Sequence, residues 1–291
     1  PAFRVAVGVA GGATVLLATR LGMPTSTTHA LTGALLGVAL VTSGAQHAWG
    51  PLQQKFLLPL LVSPLLALVA TGLIFSLVRG AKPRPAPTGD RCLCVAAPGA
   101  LALGEDCMAI AGADSSLVVD EVAVCERTLG TGAVLMRESR ALRSMHFLSA
   151  GSVCFARAVN DTPKIAALLI VAGVAGTEWK LGLIAAAMAV GGVLASRRVA
   201  ETMSRQITPL NPAEGLTANA VTAALVIGAS RIGVPVSTTH VSVGSVFGIG
   251  VVTRQARWKT IVKILLAWIT TLPLAAAIGA LVFWSATRYF S

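Results

Sequence analysis

The amino-acid sequence predicts an all-α polytopic membrane protein built as an inverted repeat, with re-entrant or broken helices in each half. Three observations carry that prediction. Of the 291 residues, 55% are hydrophobic and only 12% are charged, about half the charged share of a soluble domain. The apolar residues fall into many runs, several of them short or interrupted. One ten-residue polar segment occurs twice, 211 residues apart.

Composition comes first. Mean hydropathy is +0.77. A soluble protein covers its surface with charge and buries its apolar residues in one or two cores. This chain has too little charge to cover such a surface, whereas a bilayer accepts an apolar one. The net charge is +11, from 23 Lys and Arg against 12 Asp and Glu. The basic residues sit between apolar runs and there is a single Tyr. That is the positive-inside pattern of a membrane protein rather than the surface of a nucleic-acid binder. Of the five cysteines, Cys92, Cys94, Cys107, Cys125 and Cys154, four lie in one polar segment. An odd number without regular spacing does not suggest a disulfide framework. Reduced thiols are expected, with a soft-metal site at Cys92-Leu93-Cys94 as the alternative. Residue 1 is Pro and no charged n-region precedes a cleavage site, so the sequence is expected to start inside a longer protein.

Apolar runs cover 2–19, 30–45, 56–79, 147–158, 163–176, 181–196, 216–230, 235–253 and 261–287. Only 56–79 and 261–287 reach the roughly 20 residues of a full crossing. Short, broken apolar segments point to transporter binding sites. Residues 80–146 differ from the rest: a Pro-rich linker at 81–87 precedes Glu105, Asp106, Asp114, Asp120, Glu121 and Glu126. Alternation over Ser116–Val119 and Val122–Val124 suggests short strands or a hairpin. Three regions follow: a first transmembrane half at 1–79, an extramembrane loop at 80–146 with a small fold of its own, and a second half at 147–291. Arg79, Lys82, Arg84 and Arg91 lead into the loop and Arg127, Arg137, Arg140 and Arg143 lead out, which places it in the cytoplasm.

The repeat aligns Arg20-Leu-Gly-Met-Pro-Thr-Ser-Thr-Thr-His29 with Arg231-Ile-Gly-Val-Pro-Val-Ser-Thr-Thr-His240. It extends to Gly33/Gly244, Gly37/Gly248 and Thr42/Thr253. Two copies mean duplication. The first copy leads into Thr42–Gln54, which has no Lys or Arg; the second leads into Arg254, Arg257, Lys259 and Lys263. The two copies therefore end on opposite sides of the membrane, as in an inverted repeat. The counterpart of Asn160-Asp161 would fall before residue 1, consistent with an N-terminal truncation.

Each copy lies between apolar runs, where non-helical backbone is tolerated only inside protein or beside a cavity. Pro24 and Pro235 break a helix, and the Ser and Thr that follow favour the start of a new one. A half-helix N-terminus offers free N–H groups and the positive end of the dipole. The hydroxyls of Ser26, Thr27, Thr28, Ser237, Thr238 and Thr239 add neutral donors. Two such tips facing each other could enclose a tetrahedral oxyanion without an Arg clamp. Simple capping or back-bonding of the hydroxyls is the plainer reading of one copy, and the duplication favours the site. His29 and His240 are expected to bond between helices, with metal or proton binding as alternatives.

Asn160-Asp161-Thr162-Pro163-Lys164 interrupts an apolar stretch. Pro163 is expected to break the helix there, leaving Asp161 as a carboxylate within or near the membrane. Asp161, Asn160 and freed carbonyls suit Na⁺. Asp161 could instead carry a proton, accept a hydrogen bond from protonated phosphate, or pair with Arg157 or Lys164 at a membrane edge. Glu214 is expected to start the helix before the second copy.

The doubled Gly-x-Pro-x-Ser-Thr-Thr-His and Asn160-Asp161-x-x-Lys164 resemble the inorganic phosphate transporter (PiT) family, over about 1–79 and 147–291. That resemblance implies a multi-pass cell-membrane protein that imports inorganic phosphate with Na⁺ or H⁺ by alternating access. It implies phosphate between Ser26, Thr27, Thr28, Ser237, Thr238 and Thr239, and the coupling cation at Asn160 and Asp161. The expected partners are inorganic phosphate and the lipid bilayer, without nucleic acid, a resident metal or another cofactor; assembly into a homo-oligomer is left open. Transport of another oxyanion such as sulfate is the nearest alternative. A membrane sensor or scaffold acting through 80–146 is an alternative of a different class. An enzyme ranks last, for lack of a nucleophile–base pair.

Overall fold

The computed structural model describes residues 2–43, 57–80, 91–96, 108–111, 116–121, 134–170 and 178–289. In chain order these form α1 (Ala2–Arg20), α2 (Thr27–Ser43), α3 (Leu58–Gly80), β1 (Arg91–Ala96), β2 (Met108–Ala111), β3 (Ser116–Glu121), β4 (Val134–Arg137), α4 (Glu138–Ile170), α5 (Glu178–Ala195), the short α6 (Arg197–Glu201) with a π turn at Thr202–Gln206, α7 (Pro212–Arg231), α8 (Thr238–Thr253) and α9 (Trp258–Tyr289). The chain divides into two compact units, one of residues 1–76 with 151–291 and one of 77–150.

The first unit is all α-helical. Among the described residues, Ala2–Arg20, Leu58–Val78 and Trp258–Arg288 are long and apolar enough to cross a membrane. Trp179–Ala195 and Arg197–Gln206 pass that test only as a pair bent by 64° at a break. Thr27–Thr42 and Thr238–Thr253 are shorter apolar helices. On α3, Leu61, Leu65, Val69 and Leu73 recur every fourth residue and are all exposed. An apolar stripe of that length facing outward is stable only where the surroundings are themselves apolar.

The buried side of the unit is lined with small residues. Ala6, Val7 and Ala10 of α1 pack with Ala34 and Val38 of α2. Gly33 and Gly37 of α2 lie against the backbone of Leu272 and Ala276 in α9. Their counterparts Gly244 and Gly248 of α8 lie against the backbone of Pro64 and Leu68 in α3. The close approach of the helices requires residues without a side chain at these four points, the small-xxx-small rule of membrane helices. The two helices that start at the repeated motif are thus each clamped to a long helix in the same way.

One expectation fails. Pro163 does not end a helix: α4 runs unbroken from Glu138 to Ile170 with Pro163 inside it. Proline removes one intrahelical hydrogen bond and crowds one carbonyl. Side-chain bonds of Asn160, Asp161 and Lys164 to the two repeated segments hold the helix on both sides of that defect. Tertiary partners make proline tolerable within a membrane helix. Pro64 and Pro273 likewise sit inside α3 and α9.

The second unit holds a four-stranded antiparallel sheet in the order β2-β3-β1-β4. Arg91 pairs with Glu121 and Ala96 with Ser116 across β1 and β3; the β1–β4 register shifts between Leu93 and Cys94. The alternation over 116–119 lies in β3. Val122–Val124, the linker 81–87 and Glu105, Asp106, Asp114 and Glu126 lie outside the described residues, as does 44–56.

The glycine contacts yield a prediction. Gly37→Ala and Gly244→Ala each force a Cβ into a neighbouring backbone and are expected to cost about 1–3 kcal/mol. Gly8→Ala, with open space around it, is expected to leave stability unchanged or slightly raised. Thermal unfolding in detergent separates them.

Candidate functional site

The two repeated segments are built by the same local rules. Gly22 and Gly233 adopt φ of 70° and 72°, the left-handed conformation that ends a helix and that glycine adopts without strain. The Met23 N–H then reaches the Ala18 carbonyl at 2.9 Å, and Val234 reaches Ala229 at 2.9 Å, closing α1 and α7 with a Schellman motif. Pro24 and Pro235 follow and prevent the helices from resuming at once. Ser26 and Ser237 start the next helices. Their Oγ atoms accept the N–H groups of His29 and His240, both at 3.1 Å.

The two tips meet. Thr28 Oγ1 donates to the Val236 carbonyl at 3.4 Å, and Thr239 Oγ1 donates to the Thr25 carbonyl at 3.2 Å. Thr28 corresponds to Thr239 and Thr25 to Val236 in the repeat, so the pair is reciprocal. Ser26, Thr28, Ser237, Thr238 and Thr239 are buried, and Thr27 is half-buried.

Behind the tips, His29 Nδ1 lies 3.3 Å from His240 Nε2. His240 Nδ1 lies 3.1 Å from the Leu60 carbonyl. Proline at 64 has no N–H to offer that carbonyl, four residues earlier in α3, which leaves it free for the ring. A carbonyl only accepts, so Nδ1 of His240 carries a hydrogen, which in a neutral ring leaves Nε2 as an acceptor. Its Nε2 then accepts from the Nδ1–H of His29. Trp268 stacks on His240 with ring centroids 3.8 Å apart and donates to the Pro24 carbonyl at 2.8 Å. Bonding between helices, expected for the two histidines, is what they do here.

Helix α4 brings the third component. Asn160 Nδ2 lies 3.0 Å from the Val236 carbonyl, 3.2 Å from Thr238 Oγ1 and 2.9 Å from Asp161 Oδ1. Thr27 Oγ1 donates to Asp161 Oδ2 at 3.2 Å. Asp161 pairs with both Lys164 at 3.4 Å and Arg157 at 3.7 Å. The ion pairs anticipated as an alternative for Asp161 therefore form. They form around a carboxyl that is 4% exposed, not at an open edge. The eight residues singled out from the sequence, Ser26, Thr27, Thr28, Asn160, Asp161, Ser237, Thr238 and Thr239, fall in one cluster.

Two contributors were not singled out as site residues. Lys164 also bonds Thr28 Oγ1 and the Val236 carbonyl, each at 2.9 Å; its signal was the one-turn spacing from Asp161. Trp268 carried none beyond being a tryptophan in an apolar run. Glu214 starts α7 as expected: Asn211 and Glu214 form a reciprocal capping box with both bonds at 2.9 Å, and neither residue reaches the cluster through those bonds.

A model of the phosphate transporter family matches residues 2–279. The chain belongs to that family. Similar proteins include a probable low-affinity inorganic phosphate transporter of Rhizobium meliloti, 36% identical over 155 residues that make up 50% of this chain and 46% of that protein. Another is inorganic phosphate transporter 2-1, chloroplastic, of Arabidopsis thaliana, 26% identical over 341 residues, covering 97% of this chain and 58% of that one. The chain thus spans about half the length of these relatives. A solved structure of a sodium-dependent phosphate transporter has the same fold, with a TM-score of 0.71 at 22% identity over 99% of this chain and 80% of that one. As a member of the phosphate transporter family, the chain places its repeated motif at the meeting point of its helices.

The stacked tryptophan can be tested. Trp268→Phe keeps a ring on His240 but leaves the buried Pro24 carbonyl without its donor, an expected cost of about 1–3 kcal/mol. Trp268→Ala removes the ring as well, an expected cost of about 3–5 kcal/mol. Unfolding in detergent measures both; equal, negligible effects contradict the assignment.

Proposed function

We propose that the chain carries inorganic phosphate across a cell membrane together with Na⁺ or H⁺, by alternating access, and that phosphate binds between the two Ser-Thr-Thr tips. The observation that supports this most is the reciprocal pair of bonds from Thr28 to Val236 and from Thr239 to Thr25. It brings two helix N-termini and their hydroxyls to one buried place.

The chemistry fits a tetrahedral oxyanion. The first N–H groups of α2 and α8 have no acceptor within their own helices, and the dipoles add partial positive charge. Ser26 and Ser237 accept helix N–H groups with their lone pairs, which leaves their own hydrogens to donate. Thr28 and Thr239 hold neutral carbonyls, and a charged phosphate oxygen is the stronger acceptor. Phosphate would therefore draw both hydroxyls away from the opposite tip and loosen the latch between the halves. Neutral donors hold an anion less tightly than an Arg fork, which favours release on the far side.

Asn160 and Asp161 are the candidates for coupling that the family resemblance implies, as ligands of Na⁺ or, for Asp161, as the carrier of a proton. Thr27 and Thr238 bond to them, so the ligands of the anion and of the cation share hydrogen bonds. A carboxylate beside the site also favours phosphate over sulfate, because phosphate carries a proton at neutral pH and sulfate does not. The family and the names of its relatives support the substrate. The basic residues flanking 80–146 support a cytoplasmic position for that segment.

Uptake of radiolabelled phosphate into proteoliposomes tests the reading. Thr28→Val and Thr239→Val keep the shape but remove a donor; each is expected to weaken apparent affinity roughly tenfold or more. Excess sulfate is expected not to compete. Unchanged affinity in both variants would count against the assignment, and equal competition by sulfate would redirect it to oxyanions generally.

A further inference from the structure

Lys164 has a role that the substrate assignment does not explain. Its ammonium has three donors and three oxygens around it: Thr28 Oγ1 at 2.9 Å, the Val236 carbonyl at 2.9 Å and Asp161 Oδ1 at 3.4 Å. These come from three separate parts of the fold, namely the first tip, the non-helical backbone of the second, and α4. A carboxylate, a hydroxyl and the carbonyl of unwound backbone form the kind of set that holds Na⁺ in transporters with broken helices.

We infer that Lys164 is a tethered cation: its ammonium occupies the oxygen-lined position between Asp161 and the Ser-Thr-Thr tips that a free monovalent cation would otherwise take. The inference rests on the phosphate-site reading and deepens it.

Charge and geometry agree. Both oxygens of Asp161 are engaged, Oδ1 by Asn160 and Lys164 and Oδ2 by Thr27 and Arg157. A further cation there would meet two positive groups around one carboxylate. The cluster of Arg157, Asp161 and Lys164 carries one net positive charge, which suits an incoming anion; without Lys164 it carries none. The side chain of Lys164 is 19% exposed against 49% for Arg157, so Lys164 is the inner of the two partners. The tether is short: Lys164 stands one helical turn from Asp161 on the same face of α4. A cation held this way cannot be carried through. This part of the site then binds phosphate without consuming a Na⁺, and any coupling ion binds elsewhere or leaves as a proton.

The test compares the wild-type protein with Lys164→Ala, and with Lys164→Gln in case the alanine variant does not fold. Thermal unfolding in detergent is followed as choline is replaced by Na⁺ at constant ionic strength, without phosphate. Both variants are expected to unfold earlier in choline and to recover by about 2 °C or more in Na⁺, saturably. The wild type and Lys164→Arg are expected to shift less. A Na⁺ shift in the wild type as large as in the variants, or none in either variant, overturns the inference. Phosphate uptake is then measured in the same two salts: Lys164→Ala is expected to retain uptake only with Na⁺, and equal uptake without it also overturns the inference. A wild-type protein that takes up no phosphate removes the transport reading but leaves the Na⁺ comparison to be decided separately.

Discussion

Hydroxyls and carbonyls left unpaired in an apolar interior each cost several kcal/mol, and that constraint organises this fold. A helix broken at Pro24 or Pro235 exposes the carbonyls of Thr25 and Val236. Each tip supplies to the other what it lacks: the threonine of one bonds the carbonyl of the other, twice, at 3.2 and 3.4 Å. Asn160 and Lys164 of α4 add two further donors to the Val236 carbonyl, at 3.0 and 2.9 Å. The duplication thus lets two interrupted helices satisfy part of each other's backbone, and it places their positive ends together.

Among the described residues, the groups that surround this symmetric pair come from three further helices. His240 finds a carbonyl because proline at 64 frees Leu60, whereas His29 turns to His240 itself. Trp268 covers one ring of the pair. Asn160, Asp161 and Lys164 all come from α4 and reach both tips.

The frame itself is tied by backbone contact. Glycines on α2 and α8 let those helices lie directly on α9 and α3, so each tip is packed on a long apolar partner. Without a hydrophobic drive between helices in lipid, such close packing is the main source of association.

Much of this was legible in the sequence because it depends on local rules. Composition required an apolar solvent, and Gly-x-Pro followed by Ser-Thr-Thr required a helix end and a helix start at both copies. The duplication made those hydroxyls a candidate site, and all six lie where two tips meet. What tertiary structure decided were the matters in which a local rule is outweighed by distant partners. Pro163 reads as a helix breaker, yet α4 passes through it, because Asn160, Asp161 and Lys164 are anchored to residues some 70 to 140 positions away. The meaning of Lys164 was hidden for the same reason: spacing shows that it can reach Asp161, but only the fold brings the oxygens of Thr28 and Val236 to its ammonium.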